Sequence, residues 1–196
     1  MALFVKICGL ASPGAVSAAI GFEADMLGFT FDPAGPNPLT ASQAGSLLAL
    51  VPSGSDRVGV FADAEDTLIG AVLKQGGLDL IQCNGDEEPG RVRALRTTFK
   101  LPVIKSLAAR SAADLEAANA YKDADWLRFS ADSDVALLTA WRARRPWLID
   151  CRPEAAEIRR LAAAGVPAVN VIPAPSLDLA GTVAQIRAVL EAARAA

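Results

Sequence analysis

Not one histidine occurs in the 196 residues of this chain. That absence removes Ser-His-Asp and Cys-His nucleophile pairs, His-ligated metals and imidazole acid–base chemistry together. Any reaction here must draw on cysteine, carboxylates, lysine, serine or the backbone. A basic excess is missing as well. Lys and Arg total 19 against 22 Asp and Glu, a net charge of −3, so no nucleic-acid partner is expected. No apolar run approaches the ~20 residues needed to cross a bilayer, and no basic segment precedes a long apolar one at the start. Neither a membrane partner nor a secretory leader is therefore expected. Cysteines number only three, odd in count and widely spaced. This argues against a disulfide framework and for a cytoplasmic setting. Without histidine or a paired C-x-x-C spacing, no metal site is expected either.

What the chain has in quantity is apolar surface, 52% of residues, arranged in a repeating pattern. Short β-rich runs ("LFVKIC", "DMLGFTF", "DRVGVFA", "LDLIQCN", "LPVIKSL", "ADWLRFS", "PWLIDC", "PAVNVI") alternate with alanine-rich helical stretches. Ser12-Pro13 supplies an N-cap and a proline at the first helical position, and Gly76-Gly77 closes a later helix. Eight strands and eight helices in strict alternation, about 24 residues per unit, predict a parallel sheet covered by helices. Eight units point to one closed (β/α)8 barrel over residues 1–196. A doubly wound open sheet is the competing geometry. No Gly-rich dinucleotide fingerprint accompanies a strand, which argues against that sheet, and no cofactor is expected.

In such a barrel side chains alternate between the interior and the helix layer. Lys6 and Cys8, at the end of the first strand, would both point inward where barrel enzymes keep their reactive groups. A buried small apolar role for Cys8 is the competing reading. An ammonium beside a thiol favours the thiolate, the form that abstracts protons. Strand parity turns Cys83 toward the helices. Lys105 and Asp150 are counted with Lys6 and Cys8 as an inward-facing charged set that a small ligand would occupy, although a structural Lys–Asp pair would account for it equally.

"VKICGL", "ADMLGFTF", "RVGVF", "IQCNGDE" and "LPVIKSL", in this order, resemble successive strands of the phosphoribosylanthranilate isomerase family of tryptophan biosynthesis. The resemblance covers residues 1 to about 110. It implies a (β/α)8 barrel that performs an Amadori rearrangement, converting a ribosylamine into an amino-ketose. The cysteine of the K-x-C-G motif, here Cys8, would be the general base, and an aspartate at the end of the sixth strand the general acid.

The sequence departs from that pattern in ways that predict loss of the parent activity. Ser130 falls on the acid position, and Asp132, two residues on, could replace it only if the loop bends it back. The glycine-rich phosphate loops are absent. Ile149 and Asp150 stand at the seventh strand, and Ile172, Pro173 and Ala174 at the eighth. Proline lacks an N–H, isoleucine blocks close approach, and Asp132, Asp134 and Asp150 would form a negative rim that repels a phosphate. The loop after strand two carries no arginine, and Asn84 replaces a histidine at strand four. Three readings result: a working isomerase, another enzyme on the same barrel, or a silent relative. The departures favour a barrel that has lost the parent activity but keeps a small-ligand pocket built from Lys6, Asn84, Lys105, Ser130, Asp150 and Asn170, in a monomer or homodimer.

Overall fold

The computed structural model describes residues 3–141, 143–174 and 178–196. The strands are β1 (Phe4–Ile7), β2 (Met26–Thr30), β3 (Asp56–Phe61), β4 (Leu80–Cys83), β5 (Val103–Leu107), β6 (Trp126–Phe129), β7 (Trp147–Cys151) and β8 (Ala168–Val171). The helices are α1 (Pro13–Gly21), α2 (Ala41–Leu48), α3 (Asp66–Gly76), α4 (Pro89–Phe99), α5 (Ala112–Ala118), α6 (Val135–Ala140), α7 (Ala155–Ala163) and α8 (Leu179–Arg194). Every strand pairs in parallel with its sequence neighbours, and β8 returns to β1 with Phe4 opposite Ala168 and Ile7 opposite Val171. The sheet is thus the closed barrel, not the open alternative.

Local chemistry starts the helices where the sequence suggests. The Ser12 hydroxyl accepts from the Ala15 amide at 3.3 Å with Pro13 at the first helical position. Thr40 with Gln43 and Ser111 with Asp114 form reciprocal capping boxes at α2 and α5. One helix is short. The stretch "DSDVALLTAWRA" yields only Val135–Ala140, because Asp134 is spent as the N-cap and Trp141 turns extended. Its ring then meets Phe129 edge-on at 6.0 Å. Arg142, within that stretch, lies outside the described residues.

Alternation along each strand builds two cores. Met26, Val58, Leu80, Ile104 and Leu148 fill the barrel interior, floored by Phe4 and Trp126 with ring centroids 5.4 Å apart. The intervening residues, Leu27, Ile81, Leu127 and Ile149 among them, pack outward under the helices. Burial on both faces explains why β2 and β4 are buried along their whole length. Among the described residues no helix is long and apolar enough to cross a membrane.

Candidate active site at the barrel mouth

Cys8 follows β1 directly and faces inward, only 3% exposed, while Lys6 is fully buried. The space for both is made by a neighbouring strand. A Cβ placed on Gly28 of β2 would lie 2.7 Å from the Cys8 sulfur and 2.9 Å from the Lys6 amine. The glycine in mid-strand is therefore a steric requirement of the site. Burial pushes the Lys6 ammonium below its ordinary pKa; Cys8 opposes that shift by charge and by a hydrogen bond, Arg128 reinforces it, and Asp150 opposes it. The other two thiols differ. Burial pushes Cys83 and Cys151 up to about 12, and Cys83 faces the helix layer as parity requires.

From Lys6 a chain of polar side chains runs around the inner wall. Strand register places Lys6, Asn170 and Asp150 side by side on β1, β8 and β7. Lys6 Nζ donates to Asn170 Oδ1 at 2.8 Å, and Asn170 Nδ2 donates to Asp150 Oδ1 at 2.7 Å. Asp150 is clamped by Arg128 of β6, whose Nε donates at 2.7 Å and whose second nitrogen grips the other oxygen. The remaining Arg128 nitrogen donates to Ser106 Oγ at 3.1 Å and Asn84 Oδ1 at 3.3 Å. A cleft of about 430 Å³ opens beside this arc, bordered by Asn84, Ser106, Arg128 and Ser130. Arg128 was missed at the level of sequence. Its signal was the inward parity of Trp126, Arg128 and Ser130 in "WLRFS", where a charged residue in a buried strand needs a partner.

Lys105 does not join this arc. On β5 the inward positions are Ile104 and Ser106, so Lys105 belongs to the outward set. Its ammonium is bound by Glu87 Oε2 at 2.7 Å and by the Gly85 carbonyl at 2.5 Å, with both charged side chains almost fully buried. The "NGDE" turn after β4 explains the pairing. Glu87 also accepts from the Asp63 amide, and Asp63 accepts from the Asp86 amide, each at 2.9 Å. A Cβ on Gly85 would collide with the Asp63 carboxylate. Lys105 thus holds two loops together from the outward side of its strand, and it also borders the cleft of about 430 Å³.

The expected negative rim is also absent. Asp150 is neutralised by Arg128, and Asp132 by Arg110, whose Nε donates at 2.8 Å. Asp134 caps α6. Ile149 faces the helices and does not fill the mouth. Ser130 stands just past β6, and its hydroxyl donates to Asp132 Oδ1 at 2.5 Å. That bond, followed by the Arg110 contact, holds the Asp132 carboxyl below the usual carboxylate range. Pro173 and Ala174 line a separate cleft of about 250 Å³ with Gly9, Ser12, Asn37 and Thr182, where the starts of α1 and α8 meet.

Comparison with known proteins agrees with the barrel fold. A family described as N-(5'-phosphoribosyl)anthranilate (PRA) isomerase matches residues 5–135. The N-(5'-phosphoribosyl)anthranilate isomerase of Rhodospirillum rubrum is 39% identical over 164 residues, covering 74% of this chain and 75% of that one. The enzyme of the same name from Rhodopseudomonas palustris is 42% identical over 132 residues, 67% of this chain and 61% of its own. A crystal structure of phosphoribosyl anthranilate isomerase in complex with reduced 1-(o-carboxyphenylamino)-1-deoxyribulose 5-phosphate superposes with a TM-score of 0.85. That match has 23% identity and covers 99% of this chain and 100% of the other; it bears on the fold alone. Relatives this similar, named as the isomerase, overturn the expectation that the parent activity has been lost. The electrostatic half of that expectation had rested on aspartates counted without their arginines.

Proposed function

We propose that this chain, which belongs to the N-(5'-phosphoribosyl)anthranilate isomerase family, is a working isomerase with a divergent site that converts the phosphoribosylamine of anthranilate into the amino-ketose. The observation that carries the reading is the Cys8 thiol and the buried Lys6 amine meeting in the gap left by Gly28. In this reading a carboxyl protonates the furanose ring oxygen, which breaks its bond to the anomeric carbon and leaves an iminium. The Cys8 thiolate then takes the proton from the adjacent carbon, giving an enol that tautomerises to the ketone. No atom is gained or lost.

Asp132 is assigned the acid role, with the Ser130 hydroxyl orienting it. Ionised at neutral pH, Asp132 must take up a proton before giving one. Lys6, Asn84, Asp150 and Asn170 shape the wall around the reacting carbons. The phosphate is assigned to the cleft between the starts of α1 and α8, since helix N-termini favour anions. The protein is read as cytoplasmic, with a small-molecule substrate, no cofactor and no nucleic-acid or membrane partner, as a monomer or homodimer. Complementation of a tryptophan auxotroph lacking the isomerase tests this: growth restored by the unmodified gene and not by Cys8→Ala is expected, and no growth with either would refute it.

A further inference from the structure

Two buried polar atoms among the described residues have no hydrogen-bond partner, Thr30 Oγ1 and Gln82 Oε1. Both residues are only 1% exposed. Chance placement is a poor explanation, because the two belong to one level of the barrel wall. Thr30 is in register with Val60, and Val60 with Gln82, so they flank a single strand on inward-facing positions. Thr30 is also two residues beyond Gly28, about 7 Å along the strand from the gap that receives the Cys8 sulfur.

The orientation of Gln82 is forced. Arg128 can only donate, so the Asn84 atom it meets is the oxygen. That oxygen also accepts from Ser106 Oγ at 2.5 Å and from Gln82 Nε2 at 2.8 Å. With its nitrogen committed to Asn84, Gln82 must turn its oxygen away, leaving an acceptor that lacks a donor. The Thr30 methyl lies beside Gly35, where an added Cβ would come within 2.6 Å of it. An unpaired buried acceptor and hydroxyl both carry a desolvation penalty that a suitable partner removes.

We infer that Gln82 Oε1 and Thr30 Oγ1 form a subsite for hydroxyl groups of the pentose chain, one hydroxyl donating to the glutamine oxygen and its neighbour pairing with the threonine. The inference rests on the proposed function and deepens it. Adjacent strands are about 4.8 Å apart, so two spacings separate the residues at the backbone.

The test is titration calorimetry with the reduced product analogue and its monodeoxy counterparts, each lacking one pentose hydroxyl. One counterpart should bind the unmodified protein roughly tenfold more weakly than the full analogue, the effect of one neutral hydrogen bond. Thr30→Val and Gln82→Met should each weaken the full analogue by roughly five- to tenfold and abolish discrimination against a counterpart. The thermal midpoint of Thr30→Val should stay level or rise, since an unsatisfied hydroxyl is removed. Equal affinity of the unmodified protein for all analogues, unchanged affinity in both variants, or a lowered midpoint in Thr30→Val would overturn the subsite alone. Failure of the unmodified protein to bind any analogue would overturn the subsite and the isomerase reading together.

Discussion

At the scale of single residues, the site depends on three positions that share one gap: Cys8, Lys6 and Gly28. Cys8→Ala should lower kcat by about 10²–10⁴-fold, the usual range for a positioned base. Cys83→Ala should leave turnover intact, because that thiol faces the helices and is held protonated by burial. Gly28→Ala should be the more informative change. Its methyl meets sulfur and amine at under 3 Å, so unfolding experiments should show a loss of about 1–3 kcal/mol while turnover collapses. Asp132 offers a change in the opposite direction. Arg110→Leu removes one of the contacts that hold its carboxyl low, so the protonated fraction at neutral pH should grow and kcat should rise. A decrease would mean Asp132 is not the acid. Cys8 and Lys6 were legible in "VKICG" because a thiol and an amine share one face of a buried strand. Gly28 was written in "MLGFT", yet only the folded barrel reveals which side chains need its missing Cβ.

The element scale is where parity decides roles, and β5 is the instructive case. "LPVIKSL" is apolar through its middle, so the sequence carries no alternation from which to assign inside and outside. Register with β4 and β6 settles it: Ile104 and Ser106 face in, Lys105 out. A buried pair broken on one side leaves an uncompensated charge, so Glu87→Gln should cost about 3–5 kcal/mol in urea unfolding. Combining Lys105→Met with Glu87→Leu should recover much of that loss, with KM unchanged. An increase in KM for the double variant would return Lys105 to the substrate. The start of α1 was legible because a cap is a local signal, as at Ser12. The early end of α6 was not, since it depends on Trp141 reaching Phe129 on a different element.

For the whole molecule, the strict alternation of strand and helix was enough to anticipate closure, since eight parallel units leave no edge to cover. The balance of charge was not legible. Arg128 with Asp150, Arg110 with Asp132 and Arg57 with Asp79 are each 22 residues apart, about one strand–helix unit. Such partners become neighbours only when consecutive strands pair, so a linear reading sees aspartates without their counter-ions. Two of these carboxylates, with Glu157 and Asp114, set the acid stability. Hydrogen bonds from Arg57, Arg160 and Ser130 hold Asp79, Glu157 and Asp132 low, and the Arg110 amide does so for Asp114. Their contribution is fully present above the unfolded values of 3.8 and 4.5 and is lost as pH falls through the folded ones. Asp56, raised chiefly by burial, acts in the opposite sense and offsets part of this. The thermal midpoint should therefore be level from neutral pH to about 5 and fall below about 4, as followed by circular dichroism. The central claim is that this barrel turns over phosphoribosylanthranilate through Cys8, and steady-state conversion by the purified protein tests it most directly. Conversion to the amino-ketose that falls at least a hundredfold in Cys8→Ala is the expected result. No conversion above the uncatalysed rate by the unmodified, folded protein, or equal rates for the two proteins, would contradict it.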